Sequence, residues 1–185
     1  MRNKADSAGV ERYSTVKDIV EYARSTKQDP LVVVLDCIED PQNLGAIIRT
    51  SECAGVHGVV IPDRHSASLS VGTLRASAGA VKHIRVALAS SAPNALSQLK
   101  REGLWTVGAD MDGSKPHTSY NYDGPTAIVI GGEDHGLGKL TKELCDDVVR
   151  IPMFGKTPSL NASVSAALLI YEAVRQRSIR RGARD

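Results

Sequence analysis

Short apolar runs alternate with amphipathic segments along most of the chain. Residues 31–35 read LVVVL, a continuous β-branched run that is typical of a strand buried on both faces of a sheet. Further apolar runs predict strands at 59–61, 84–88, 104–109 and 127–130, and one that reaches 151. Because strands and helices alternate at this spacing, the sequence predicts an α/β fold, with a mostly parallel sheet and helices on both faces.

Polar residues and glycines mark where the predicted helices begin and end. Residues 15–18 have the spacing of a capping box and predict a short helix that reaches about residue 25. The next predicted helix follows Asn43 and ends at Gly55, and its buried side is expected to carry Leu44, Ile47, Ile48 and Ser51. Further helices are predicted at about 71–78, 93–101, 141–145 and 161–177, with an irregular segment at 110–124.

Polar residues are concentrated after three of the predicted strands, in the segments 40–49, 131–137 and 151–163. In parallel sheets, ligands bind beyond the carboxyl ends of the strands. The third segment enters the last helix through Ser159, Asn161 and Ser163. One polar side chain suffices to cap a helix. These side chains therefore either are solvated or line a site.

The first two segments each allow more than one interpretation. Arg49 lies among apolar residues of its predicted helix, and it either reaches solvent, pairs with Asp36 or Glu52, or binds an anionic ligand. The glycines before Glu133 would let a ligand approach the backbone, and a carboxylate at a strand end can act as a base or a charge partner. A solvated turn with acids at a helix start explains this second segment equally well.

Two common nucleotide-binding motifs are incomplete. No glycine follows the first predicted strand until Gly45, so the GxGxxG motif of a Rossmann site is missing. Residues 155–157 match the end of a P-loop, but Arg150 occupies the position of its first glycine. The sequence therefore disfavours a dinucleotide enzyme and a P-loop NTPase.

The composition is that of an ordinary soluble globular domain, with 185 residues, 42% hydrophobic and 24% charged. The net charge of +2 is too small to indicate a partner, and 4% aromatic residues offer little basis for stacking on nucleic-acid bases. The C-terminus is locally basic, and it either binds phosphate or is a solvated helix end favoured by the helix dipole. Its arginines are Arg175, Arg177, Arg180, Arg181 and Arg184.

Cysteine and histidine positions favour neither a metal site nor a disulfide. Cys37, Cys53 and Cys145 lie far apart in sequence without a CxxC motif, and the five histidines occur singly. Residues 1–4 do not resemble a signal peptide, and no apolar run approaches the ~20 residues needed to span a bilayer. We therefore expect a cytoplasmic protein without a metal and without a membrane segment.

Three segments together resemble the motifs of a known enzyme family. They read NLGAIIRTSECAGV at 43–56, IVIGGEDHGL at 128–137 and IPMFGKTPSLNASVSAALLIYE at 151–172. In this order they are similar to the motifs of the SpoU (TrmH) family, RNA ribose 2'-O-methyltransferases that use S-adenosylmethionine. Residues 76–86 and 172–177 resemble the bacterial RlmB type, which methylates a guanosine of large-subunit ribosomal RNA. The resemblance spans about residues 30–178.

The resemblance implies a SPOUT fold, in which the C-terminal segment of a parallel α/β sheet forms a trefoil knot, and a homodimer with the active site at its interface. Matched residue by residue, the family's catalytic positions fall on Asn43, Arg49, Glu133, Ser159 and Asn161. The family's contacts to S-adenosylmethionine come largely from backbone and fall here on Gly131, Ile151, Met153 and Leu160. Ser163 is expected to be structural only.

The chemistry implied by the resemblance can be weighed physically. Methyl transfer to a ribose hydroxyl is an in-line displacement, so alignment of the reactants can supply much of the catalysis. The hydroxyl is a weak nucleophile until its proton is removed, and the family implies that role for Arg49. A guanidinium, with a pKa above ~12, accepts a proton only when strongly perturbed. Arg49 can hold the adjacent phosphate and stabilise the developing oxyanion without any change in its protonation. Glu133 and Asn161 are then expected to position Arg49 or the substrate.

The expected organisation is a linker with a short helix at 1–29, a catalytic domain at 30–178 and a basic tail at 179–185. The chain departs from the family's usual Gly-x-Glu-Gly turn at residues 132–135, which read GEDH. RlmB-type enzymes usually carry an RNA-binding domain before the catalytic one, whereas only about thirty residues precede the first predicted strand here. We expect an RNA substrate, ribosomal rather than transfer RNA. The alternatives are a transfer-RNA substrate, a non-catalytic RNA-binding protein with the same fold, and a small-molecule nucleotide enzyme.

Overall fold

The computed structural model describes residues 13–132 and 136–182. Within them, the strands of the sheet are β1 (Leu31–Asp36), β2 (Gly58–Pro62), β3 (Arg85–Ala89), β4 (Trp105–Ala109), β5 (Lys115–Pro116), β6 (Thr126–Gly131) and β7 (Asp147–Arg150). Their order across the sheet is β3-β2-β1-β6-β4-β7-β5, and all pairings between these strands are parallel. The predicted parallel sheet is confirmed. Only the two-residue β5, inside the segment predicted to be irregular, was missed.

Helices cover both faces of the sheet, as predicted. They are α1 (Val16–Ser25), α2 (Pro41–Cys53), α3 (Val71–Ala76), α4 (Ala92–Arg101), α5 (Lys139–Leu144) and α6 (Ala162–Gly182). Helices α2, α3 and α6 pack on one face, where Val33 and Leu35 point, whereas α1, α4 and α5 pack on the face of Val32 and Val34. This alternation explains why β1 is apolar throughout.

The helix ends follow the capping rules with two differences from the prediction. The capping box of α1 forms, because Thr15 and Asp18 each accept the other's backbone N–H, at 3.1 and 2.7 Å. Helix α2 begins two residues earlier than Asn43, because the Asp40 side chain caps it by accepting from the N–H of Gln42 and Asn43. Helix α6 continues to Gly182, so residues 179–182 of the predicted tail are helical.

The register of the sheet brings several strand ends to one edge. Gly131 at the end of β6 is paired with Asp36 at the end of β1, and Ile130 is paired with Ala109 at the end of β4. Ala109 is paired in turn with Val149 of β7. The loops that leave β1, β4, β6 and β7 therefore begin side by side. No helix in the described part of the chain is long and apolar enough to cross a membrane.

Helices α2 and α3 approach each other closely at Gly45. A Cβ atom on Gly45 would lie 2.4 Å from the Cβ of Ala76 and 2.8 Å from the carbonyl oxygen of Thr73. Real Cβ contacts are longer than this, and the second neighbour is backbone. Glycine is therefore required inside α2, although it lowers helix propensity by about 1 kcal/mol relative to alanine.

We predict that Gly45→Ala lowers the free energy of unfolding by about 1–3 kcal/mol because the added methyl group forces the two helices apart. The matched control is Gly72→Ala in α3, where the nearest atoms would lie at 3.5 and 3.6 Å. Since alanine is the better helix former, this variant should be at least as stable as the wild type. Urea unfolding measures both, and equal stability of the two variants would contradict the close packing.

Candidate active site

A cavity of about 480 Å³ lies at the edge of the sheet where β4, β6 and β7 end. This volume falls in the range of roughly 300–1,000 Å³ that is usual for small-molecule sites. Its walls come from the ends of β4 and β6 and the segments that follow them, from Lys142 of α5, from the loop after β7 and from the first turn of α6. The site therefore lies where a parallel sheet is expected to bind its ligand.

The glycines after β6 let two backbone segments touch. A Cβ on Gly131 would lie 2.1 Å from the carbonyl carbon of Gly136, and one on Gly132 would lie 2.4 Å from the carbonyl oxygen of Cys37. The turn closes through a hydrogen bond of 2.9 Å from the N–H of Gly136 to the carbonyl of Gly132. These glycines thus have a packing role within the chain as well as facing the cavity. The predicted site residue Glu133 lies outside the described residues.

The positions matched to cofactor contacts all line this cavity. Gly131 lies at the end of β6, Ile151 and Met153 follow β7, and Leu160 precedes α6. Ser159 lines the cavity as well. The structure brings these residues together from three segments of the chain, and their role in binding stays a prediction.

Asn161 connects the starts of α2 and α6. Its side-chain oxygen accepts from the backbone N–H of Ser163 at 2.9 Å and from the Ser163 hydroxyl. The Asn161 side chain therefore caps α6. Its side-chain nitrogen donates to the side-chain oxygen of Asn43 at 2.9 Å. Asn161 therefore does more than cap a helix, whereas the contacts of Ser163 are those of a helix start.

Arg49 lies on the exposed side of α2. With the residues that the structure describes it forms neither a hydrogen bond nor an ion pair. The predicted pair between Arg49 and Asp36 or Glu52 is therefore not formed. In the single chain, Arg49 reaches solvent. Asp36 is buried instead, and its carboxylate accepts from the N–H of Gly138 at 2.9 Å.

Arg175 and Arg177, near the C-terminus, form contacts within the chain. Arg175 forms two hydrogen bonds to Glu172, at 2.7 and 2.9 Å, which lower the pKa of that carboxyl to about 2. Arg177 donates to the carbonyl oxygens of several loop residues, including Asp29 and Tyr122. The contacts of Arg177 hold the end of α6 against the loops at the amino ends of the strands.

A charged cluster in the cavity wall was missed from the sequence. Lys142 of α5 forms ion pairs with Asp110 at 2.8 Å and with Asp112 at 3.2 Å. Burial would raise the pKa of Asp110, but hydrogen bonds from Lys142 and from the backbone of Asp112 lower it below its usual value. The sequence offered one sign of this cluster, because Asp110 is a carboxylate that immediately follows a predicted strand. Its partner lies 32 residues further along the chain.

Comparison with known proteins decides the family. A model of the SpoU rRNA methylase family matches residues 30–171. This chain belongs to the SpoU rRNA methylase family. A Bacillus subtilis protein that carries the name TrmH family tRNA/rRNA methyltransferase is 41% identical over 166 residues, which cover 90% of this chain and 67% of the relative.

Solved structures of this family share the fold. The SpoU methyltransferase AviRb from Streptomyces viridochromogenes, in complex with AdoMet, matches with a TM-score of 0.76 and 32% identity, over 81% of this chain and 58% of AviRb. An RNA 2'-O ribose methyltransferase matches with a TM-score of 0.75 and 38% identity, over 81% of this chain and 57% of that protein. This SpoU-family chain thus has the α/β fold of these methyltransferases and spans about two thirds or less of the length of its relatives.

We predict that Asn161→Ala lowers the free energy of unfolding by about 1 kcal/mol, because α6 loses its N-terminal cap. Asn161→Asp retains an oxygen that accepts from the helix N–H groups but loses the donor to Asn43, so it should destabilise the protein less than the alanine variant does. Thermal or urea unfolding measures both variants. Equal destabilisation by alanine and aspartate would show that the link to Asn43, and not the cap, stabilises this junction.

Proposed function

We propose that this SpoU-family protein transfers a methyl group from S-adenosylmethionine to the 2'-hydroxyl of a ribose in RNA. The observation that carries the proposal is the cavity at the ends of β4, β6 and β7, lined by Gly131, Ile151, Met153 and Leu160. It lies beside the Asn43–Asn161 pair, to which the first and third family motifs each contribute one residue. Family membership and the similarity to an AdoMet-bound methyltransferase support the same assignment.

The residues of the cavity fit the proposed cofactor. Ile151, Met153 and Leu160 offer an apolar wall suited to a flat adenine ring, and Gly131 lines the cavity at the end of β6. Asp110 and Lys142 give the wall a charged part. When bound, S-adenosylmethionine would supply a methyl group activated by the positive sulfur. No metal-binding group of His, Cys, Asp or Glu occurs among residues 13–132 and 136–182.

Arg49 is proposed to act on the RNA. Its guanidinium is exposed and unengaged by other described residues, so its donors are available for the phosphate next to the reacting ribose and for negative charge that develops on the attacking oxygen. Asn43 and Asn161 are proposed to position the substrate through their fixed side-chain amides, together with Ser159 and Glu133.

The assembly is proposed to be a homodimer that uses an exposed stripe of α6. Val164, Leu168 and Tyr171 are 46%, 40% and 50% exposed, and their spacing places them on one side of the helix. Apolar side chains in such a row favour burial against a second surface. We propose that a second copy of the chain covers them, and that residues 151–161 form part of the trefoil knot implied by the family.

The RNA substrate is proposed to be ribosomal, a guanosine of the large subunit, acted on by a catalytic domain at 30–178. The resemblance of residues 76–86 and 172–177 to the RlmB type supports this choice. Transfer RNA is the second candidate, because the name of the Bacillus subtilis relative includes both kinds of RNA. Exposed Phe154 and Lys156, beside the cavity, offer an aromatic ring and a positive charge to an RNA strand.

We predict that Arg49→Ala reduces methyl transfer to RNA by about a hundredfold or more, as expected when a group that stabilises transition-state charge is removed. Its affinity for S-adenosylmethionine, measured by calorimetry, should be unchanged because Arg49 does not line the cavity. The matched control is Arg101→Ala, an exposed arginine on α4. Near-normal methylation by the Arg49 variant would refute the assignment, and a wild type that binds no S-adenosylmethionine would favour the non-catalytic alternative.

We predict that the wild type sediments as a dimer and that Leu168→Glu sediments as a monomer, because a carboxylate would be buried in the interface. Leu140→Glu, on α5 at the opposite face of the sheet, introduces the same charge at a residue that is 57% exposed and should remain dimeric. Sedimentation velocity distinguishes these species. A monomeric wild type, or dissociation by both variants, would contradict an interface on α6.

A further inference from the structure

The charged cluster in the cavity wall has one hydrogen-bond donor that is available to a ligand. The Lys142 ammonium carries three N–H donors. One contacts Asp110 at 2.8 Å and one contacts Asp112 at 3.2 Å, and the described part of the chain provides no further partner. Because Lys142 itself lines the cavity, its third donor is available there.

The two carboxylates differ in how firmly they are held. Asp110 has a side chain only 13% exposed, and it also accepts from the backbone N–H of Asp112 at 3.0 Å. The side chain of Asp112 is 84% exposed, and Lys142 is its only side-chain partner among the described residues. Asp110 therefore anchors Lys142, whereas the Asp112 carboxylate can turn towards a ligand at small cost.

The charge of the cluster indicates which ligands it accepts. Two carboxylates and one ammonium leave a net charge of −1 at this wall. A phosphate-bearing ligand would be repelled by the excess carboxylate. A group with both an ammonium and a carboxylate can instead place its carboxylate on Lys142 and its ammonium on Asp112, which satisfies both charges.

We propose that Lys142 and Asp112 bind the amino-acid end of the cofactor, with Lys142 contacting its α-carboxylate and Asp112 its α-ammonium. The apolar residues Ile151, Met153 and Leu160 then receive the adenine end. This inference rests on the proposed use of S-adenosylmethionine and goes further, because it assigns side chains to the recognition of one part of that molecule.

Binding of three compounds to the full chain tests the proposal. S-adenosylmethionine and S-adenosylhomocysteine carry the amino-acid group. 5'-Methylthioadenosine has the adenosine and the neutral thioether sulfur of S-adenosylhomocysteine without that group. Lys142→Met should weaken binding of the first two by about tenfold or more, the value expected for loss of a charge-assisted hydrogen bond. Binding of 5'-methylthioadenosine should be unchanged. Asp112→Asn should show the same selectivity, and Lys139→Met, an exposed lysine of the same helix, should change none of the three affinities.

The outcomes separate this inference from the proposed function. Calorimetry that shows equal weakening of all three compounds, or no weakening, in the Lys142 variant would overturn the assignment to the amino-acid end. A wild type that binds none of the three would overturn the proposed function itself. Lys142→Arg keeps the positive charge and should bind S-adenosylmethionine and S-adenosylhomocysteine about as tightly as the wild type does. That result would show that the weaker binding of Lys142→Met does not come from misfolding.

Discussion

The position of β6 between β1 and β4 determines where the candidate residues lie. Its backbone hydrogen bonds to both neighbours fix the register, which places Gly131 opposite Asp36 and Ile130 opposite Ala109. Gly131 then lies so close to the backbone of Gly136, and Gly132 so close to Cys37 in the loop after β1, that neither glycine can carry a side chain. Every loop that contributes to the cavity begins at this shared edge. A site made of distant segments thus follows from the order of strands in one sheet.

The hydrogen bond between Asn43 and Asn161 connects two motifs that are 118 residues apart in the sequence. Each of these side chains lies at the beginning of a helix that packs on the same face of the sheet. Because Asn161 also caps α6, the amide that contacts Asn43 has little freedom to rotate. Fixed polar groups of this kind reduce the reorganisation that accompanies a reaction. This junction connects the first and the third of the family motifs in the folded chain.

The sequence predicted elements wherever burial imposes a pattern. Strand β1 is buried along its whole length, and its continuous apolar run identified it correctly. Strand β5 has two residues, which are too few to show any periodicity. The cofactor-matched positions came from resemblance, because Ile151, Met153 and Leu160 have no local pattern that distinguishes a cavity wall from a core. Lys142 and Asp110 could not be paired in advance, since their contact depends on how α5 packs beside the end of β4.

The most direct test of the account is to identify the atom that receives the methyl group. The purified protein would be incubated with S-adenosylmethionine carrying a deuterated methyl group and with separate ribosomal and transfer RNA fractions, and the RNA would then be digested and its nucleosides analysed by mass spectrometry. The account predicts the label on the 2'-oxygen of guanosine from the ribosomal fraction. Label on a base, or no label in either RNA, would contradict it.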